Sequence, residues 1–250
     1  LGIWSLRPPL LFVIDTRYRE IYGLKRETTQ VRMAALANFR PVEILALDDS
    51  AEPSVFPSII ESRRPQAQII VIPHWLNDFA EALSVLEYAP LVILAGGEAF
   101  HPSLPSIPVD MSDAHRLAAL HCVRKAPDLH SQIALITSAA EAESLSLVFR
   151  QTPGFAERSL VLNVYTASPP AGAVKPSAVY LSSPLSGVLP EAWRGLPLAL
   201  NSALSSDFVP ESVFALIDAS PYLALKKLPL LDPQSRKSKY PAELILLGKE

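Results

Sequence analysis

Leu91–Leu120 reads LVILAGGEAFHPSLPSIPVDMSDAHRLAAL. An apolar run stops at Gly96-Gly97-Glu98, and a loop broken by Pro102, Pro105 and Pro108 follows. A second, very short apolar run then ends at Asp110, and a helical pattern begins almost at once at Asp113. A buried strand, a brief strand and a helix launched from an acidic end form the pattern expected where a chain leaves one sheet for another.

Upstream, short apolar runs alternate with helical periods. Leu10–Asp15 (LLFVID), Glu43–Asp49 (EILALDD), Ala67–Pro73 (AQIIVIP) and Leu91–Gly97 (LVILAGG) are continuous enough to read as parallel strands buried on both faces. Between the first two, Tyr18 to Phe39 places Ile21, Leu24, Thr28, Val31, Ala35 and Phe39 on one helical face. PSVFPSIIESRR is a short helix stopped before Pro65, and Asn77–Ala89 is a helix with Asn77 as its N-cap. The order β-α-β-α-β-α-β implies an open parallel sheet with helices on both faces. In such a sheet the ligand crevice lies beyond the carboxyl ends of the strands.

Downstream, the logic repeats. Asp113–Lys125 is a helix with Ala114, Leu117, Ala118, His121 and Cys122 on one face, and SQIALITS is a strand. A helix over Glu141–Gln151 follows, then strands in SLVLNVY, PSAVYLSS, LPLALNS, SVFALID and AELILL. LPLALNS and SVFALID stand too close for a full helix between them, which marks them as return crossings. The expectation is an α/β protein of two doubly wound lobes joined by a three-strand hinge. Its lobes would be 1–110 plus about 203–217, and 111–202 plus about 218–250.

Composition narrows the function. The chain has 250 residues, 49% of them apolar, which suffices for two cores. Net charge is −3, and no basic stripe suggests a nucleic-acid partner. The single Cys122 excludes an intrachain disulfide or a cysteine metal cluster. His101, His115 and His130 have no metal-ligand spacing, and His121 reads as a hydrogen-bonded core histidine, so no metal is expected. No phosphate-binding glycine loop and no GxSxG elbow occurs, so no cofactor is expected. No run reaches the length of a membrane span. The chain begins at Leu1 instead of Met, as a processed or truncated chain does. The expectation is an extracytoplasmic protein, with lipid anchoring through a removed segment as one option.

The segments VDMSDAHRLAALHCVRKAPDLHSQIALITS, LPLALNSALSSDFVPESVFALIDASP and AELILLGKE resemble the crossover, the return crossings and the terminal strand of type I periplasmic binding proteins. That family includes ABC-transporter solute-binding proteins and lac-repressor-type effector domains. The resemblance covers Leu10 to Leu247. It implies a monomeric clamshell that closes on a small molecule between its lobes and delivers it to a membrane permease. Carried over residue by residue, it implies ligand contacts at Thr16, Arg17 and Tyr18, at His74 and Trp75, and at Glu98, while Asp15 and Gly97 are candidates as residues at the carboxyl ends of the same strands. In the second half it implies Thr137 and Ser138, Ser182 and Ser183, Asn201 and Asp218.

The chain departs from the sugar-binding members in one turn. Where they carry an arginine in a turn like TSAARER, this chain has TSAAEAES, with Glu141 and Glu143. Ser182-Ser183 replaces their Asn-Asp. A simple sugar is therefore disfavoured, and Trp75, Tyr18 and Tyr22 suggest stacking on an aromatic or heterocyclic ligand. Two alternatives stay open: a sensing domain of the same fold, and a small α/β enzyme using Asp15, His74 and Glu98 in acid–base chemistry. Structural roles also stay open at each position. Asp15 could cap the following helix, Arg17 could pair with Glu20, and Gly96-Gly97 could be a plain strand exit.

Overall fold

The computed structural model describes residues 9–15, 31–34, 41–48, 50–62, 69–182, 189–201, 212–227 and 235–247. Within these the chain forms two compact units, residues 1–110 with 220–240, and residues 111–219 with 241–250.

The first unit is built on a five-stranded parallel sheet. Its strands are Leu10–Asp15 (β1), Val42–Leu47 (β2), Ile69–Pro73 (β3), Leu91–Ala95 (β4) and Ser106–Ile107 (β5), in the order β2-β1-β3-β4-β5. β1 lies inside the sheet between β2 and β3, and all six of its residues are buried, as its long apolar run requires. β2 lies at the edge and alternates, with Leu45 and Leu47 buried and Glu43 exposed. Leu11, Val13, Leu45, Leu47, Ile70 and Ile72 share one face of the sheet. Phe56 and Ile60 of the helix Phe56–Ser62 (α1) join the same core, where Phe56 meets Phe79 edge-on at 5.3 Å.

Of the expected Tyr18–Phe39 helix, only residues 31–34 lie among those described, and they are helical. The helix expected over Asn77–Ala89 is shorter. A 3-10 turn, His74–Leu76, runs directly into Asn77–Ala82 (α2), so Asn77 is the first helical residue and not a cap. A second 3-10 turn over Leu83–Val85 follows, and Ala89 sits at φ 44. Pro90 disfavours the right-handed helical conformation at Ala89, which ends any continuation.

The brief run SIPVD divides at Pro108. Ser106 and Ile107 pair with Leu94 and Ala95 at the edge of the sheet. Val109–Asp110 (β6) pairs elsewhere, with the short strand Tyr240–Pro241 (β12), and Pro108 O accepts from Tyr240 N at 3.1 Å. Proline has no N–H to continue a ladder, so the strand changes partners there.

The second unit opens with the helix Ser112–Lys125 (α3) and holds a six-stranded sheet. Its strands are Gln132–Ile136 (β7), Val161–Tyr165 (β8), Ala178–Leu181 (β9), Leu198–Asn201 (β10), Val213–Asp218 (β11) and Glu243–Leu246 (β13), in the order β13-β11-β10-β9-β7-β8. Only β13 is antiparallel. One face packs Ala134, Ile136, Val179, Leu181, Leu198 and Leu200 around Trp193. The helix Ala142–Gln151 (α4) buries Leu145 and Phe149.

α3 packs on β9 through Ala114, Ala118, Ala119, Cys122 and Val123. The buried stripe is thus rotated from the one the sequence suggests. His121 is only half-buried, so it is not the expected core histidine. His115, also half-buried, is the histidine that bonds into the core, its Nδ1 lying 2.5 Å from the buried Tyr180 Oη.

The later crossings also differ from expectation. β10 and β11 are adjacent parallel strands of one sheet, so they are not return crossings. The chain passes between units at 110/111, 219/220 and 240/241. Residues 213–218 therefore belong to the second unit, and 220–240, with the helix Leu223–Lys227 (α5), to the first. The spacing between the two runs fits either arrangement, and the parallel pairing of β10 with β11 decides it.

Candidate functional site

In the first sheet the strand order reverses between β1 and β3, and in the second between β7 and β9. Such switch points open a crevice at the carboxyl ends of the two strands. In each unit a polar pair spans that position.

In the first unit the pair is Asp15 and Trp75. Asp15 ends β1 and is 3% exposed. The indole Nε1–H of Trp75, two residues past β3, donates to Asp15 Oδ2 at 3.2 Å. Trp75 is half-buried against the core formed by β1–β4. His74 meets Trp75 edge-on, with ring centres 5.3 Å apart. The imidazole of His74 also lies over Gly96 and Gly97. A Cβ built on Gly97 would come 2.9 Å from His74 Cδ2, and one on Gly96 would come 3.1 Å from His74 Nδ1. Both glycines adopt positive φ, at 94 and 75. The pair is required by this close approach and by its backbone conformation, beyond serving as a strand exit. Although His74 is exposed as a residue, this partial enclosure of its ring pushes its pKa below the ordinary imidazole value.

In the second unit the pair is Thr137 and Ser182, buried at 0% and 3% exposure. Ser182 N donates to Ile136 O at 2.9 Å, fixing the residue across the strand ends. Ser182 Oγ lies 2.7 Å from Thr137 Oγ1, Thr137 Oγ1 lies 3.3 Å from Glu141 Oε2, and Ser138 Oγ lies 3.1 Å from the same oxygen. Asn201 Nδ2 donates to Ser182 O at 3.0 Å.

Of the residues singled out from sequence, the structure brings together Asp15, Trp75, His74 and Gly97 in the first unit. In the second it brings together Ser138 and Asn201 with Thr137 and Ser182. Glu98 is exposed just beyond Gly97, and Asp218 is buried at the end of β11. Thr16, Arg17, Tyr18, Tyr22 and Ser183 lie outside the described residues. Sequence reasoning did not single out Glu141 as the point where the hydroxyls converge. Its signal was present in Ser138-x-x-Glu141, the spacing of a helix-start capping box, and Glu141 N does donate to Ser138 Oγ at 3.3 Å.

Burial pushes the Tyr180 phenol well above its ordinary range, with Cys122 and Glu141 reinforcing the shift. Its hydroxyl shares a hydrogen bond with His115 Nδ1 whose direction follows the imidazole tautomer. Burial likewise raises the Cys122 thiol. Among the described residues, no group of three His, Cys, Asp or Glu side chains is placed to hold a metal ion, and no helix is long and apolar enough to cross a membrane.

Solved structures match along nearly the whole chain. A periplasmic ribose ABC transporter protein from Conexibacter woesei is 12% identical, with 98% of this chain and 94% of that one covered, at a TM-score of 0.56. A LacI transcriptional regulator from a Rhodococcus species is 13% identical, with 95% and 96% covered, at 0.54. An ABC transporter periplasmic solute-binding protein from Actinobacillus succinogenes, solved with D-allose, is 11% identical, with 96% and 97% covered, at 0.51. No family model and no curated protein matches the chain. The fold is that of the type I periplasmic binding proteins, as the sequence resemblance implied.

Proposed function

We propose that the chain is a solute-binding protein of an ABC-type uptake system, working outside the cytoplasmic membrane with a membrane permease as its partner. The observation that carries this reading is the repeated site. Both sheets have the same order about their switch points, and each places a hydrogen-bonded polar pair at the carboxyl ends of the two strands there. These groups suit reversible capture of a small polar molecule and need form no bond to it. The hinge closure implied by the sequence resemblance completes the proposal. The similarity of the Conexibacter and Actinobacillus proteins supports the transport assignment at the level of fold.

Native mass spectrometry on gently purified protein tests it. A stoichiometric small molecule released on denaturation supports capture. Small-angle scattering that stays unchanged with every solute pool tried counts against it.

The similarity of the Rhodococcus regulator favours a second reading, an effector domain that senses the same kind of ligand and signals to a partner. The gene sequence upstream of Leu1 separates the two: an export signal with a lipidated cysteine supports transport, and a helix-turn-helix supports regulation.

A further inference from the structure

Strand β8 ends the second sheet, and among the described residues β7 is the only strand beside it. Val161 N donates to Ser131 O at 3.0 Å, and Tyr165 O accepts from Thr137 N at 3.0 Å. Both groups therefore point toward β7. Backbone polar groups alternate in direction along a strand, so those of Val161, Asn163 and Tyr165 serve β7 and those of Leu162 and Val164 face outward.

Such an edge invites further pairing, and proteins blunt it with charge, proline or brevity. The other described edges are blunted. β2 carries the exposed Glu43, β13 carries the exposed Glu243, and β5 has two residues between Pro105 and Pro108. β8 has five residues, VLNVY, with no charge, proline or glycine. It also exposes apolar side chains on both faces of the sheet, Val161 at 42% and Val164 at 39%. Leu147 on α4, which packs on β8, and Leu129, in the turn that leads into β7, are exposed as well.

VLNVY is its own complement when reversed. Antiparallel pairing about Asn163 sets Leu162 opposite Val164 of a second copy, and Val161 opposite its Tyr165. Leu162 and Val164 are the residues whose backbone groups face outward, so each of these facing pairs exchanges two hydrogen bonds, four in all. Asn163 meets Asn163 across the axis in a non-hydrogen-bonded pair, where side chains come closest. Each apolar side chain of the strand meets another, and no charge is buried. From this match of charge, parity and side chains, we propose that β8 pairs with β8 of a second copy of this chain, so that two six-stranded sheets run on as one. The contact is small, and the dimer is weak, with a dissociation constant on the order of 1–100 µM. It stands in place of the monomer that the sequence resemblance implies, and it holds for a transport protein and a sensing domain alike.

Sedimentation velocity on the full chain, from about 1 to 300 µM, tests it. A monomer–dimer equilibrium is expected. Val164→Lys should raise its dissociation constant at least about tenfold, because the contact would bury an unpaired ammonium. Asn163→Cys locates the axis. On mild oxidation it should form a dimer linked through residue 163, since this register brings the two Cβ atoms to roughly 4.5–5.5 Å. Val161→Cys lies on the same face but faces residue 165 of the other copy, and it should stay unlinked. Cys122 is buried and does not compete. A chain that is monomeric throughout overturns the proposal and leaves the edge to a different partner or to solvent. A dimer that Val164→Lys leaves intact, or that Asn163→Cys does not link, overturns it too and puts the interface elsewhere. Should Val164→Lys not fold, the two cysteine variants carry the test.

Discussion

Trp75 Nε1 lies 3.2 Å from Asp15 Oδ2, a hydrogen bond between residues sixty positions apart that ties the exit of β3 to the end of β1. The carboxylate is almost wholly buried, so each donor it has matters more than one at the surface. Trp75→Phe keeps an aromatic ring and removes the N–H together with part of the indole. It should destabilise the protein by about 1–3 kcal/mol, measured by urea unfolding. An unchanged midpoint and slope would mean that the bond contributes nothing.

Gly97→Ala should be costly for two separable reasons. A residue with a Cβ at this positive φ costs roughly 1–2 kcal/mol from conformation alone. The contact with the His74 ring adds to it. His74→Ala in the same chain should recover the contact part and leave the conformational part. A double-mutant cycle on unfolding free energies checks this, and strict additivity would show that the ring and the glycine do not meet.

Thr137 and Ser182 should act as one unit. Ser182→Ala leaves Thr137 without its incoming donor, and Thr137→Val leaves the Ser182 hydroxyl without its nearest acceptor. Each should cost about 1 kcal/mol. The double variant should cost less than the sum, because the second change removes a partner already unsatisfied. Thermal unfolding of the four proteins decides it.

Stability should fall as pH drops below the ordinary imidazole value of 6.5. The folded pKa of His74 is lowered by burial, and that of His121 by burial and by the charges of Arg124 and Lys125. The unfolded chain therefore takes up protons first, and each proton favours unfolding. The contribution is absent well above pH 6.5 and grows as the pH falls toward the folded pKa values. Melting temperatures at about pH 7.5 and 5.5 should differ, and the difference should shrink in His74→Gln. An equal drop in the variant would assign the effect to other groups.

The central strands were legible because burial on both faces leaves unbroken apolar runs, as in LLFVID and QIALI. The carboxyl-end residues were legible for a topological reason, since parallel strands place their exits at one end. Three features escaped. The α3 stripe was misplaced by a fraction of a turn because alanines line its buried face, and their small size gives a weak signal beside Leu117 and His121. The domain boundary escaped because strand spacing tells that β10 and β11 are close, not that they are neighbours in one sheet. Glu141 escaped because a carboxylate at a helix start reads as a cap, and its service to Thr137 and Ser138 depends on the turn that precedes it.

The three passages of the backbone have a consequence for synthesis. Neither unit is a contiguous stretch of sequence: the first lacks residues 220–240 until the second is nearly made, and the second lacks the antiparallel strand β13 until after that. On the ribosome, the amino-terminal half emerges without the segment that completes it. A chain arrested after Asp218 would hold two incomplete units, with β6 lacking its partner β12 and β11 left as an open sheet edge. Finishing either one therefore waits on residues downstream of Asp218, and a stop there leaves no independently finished half to persist.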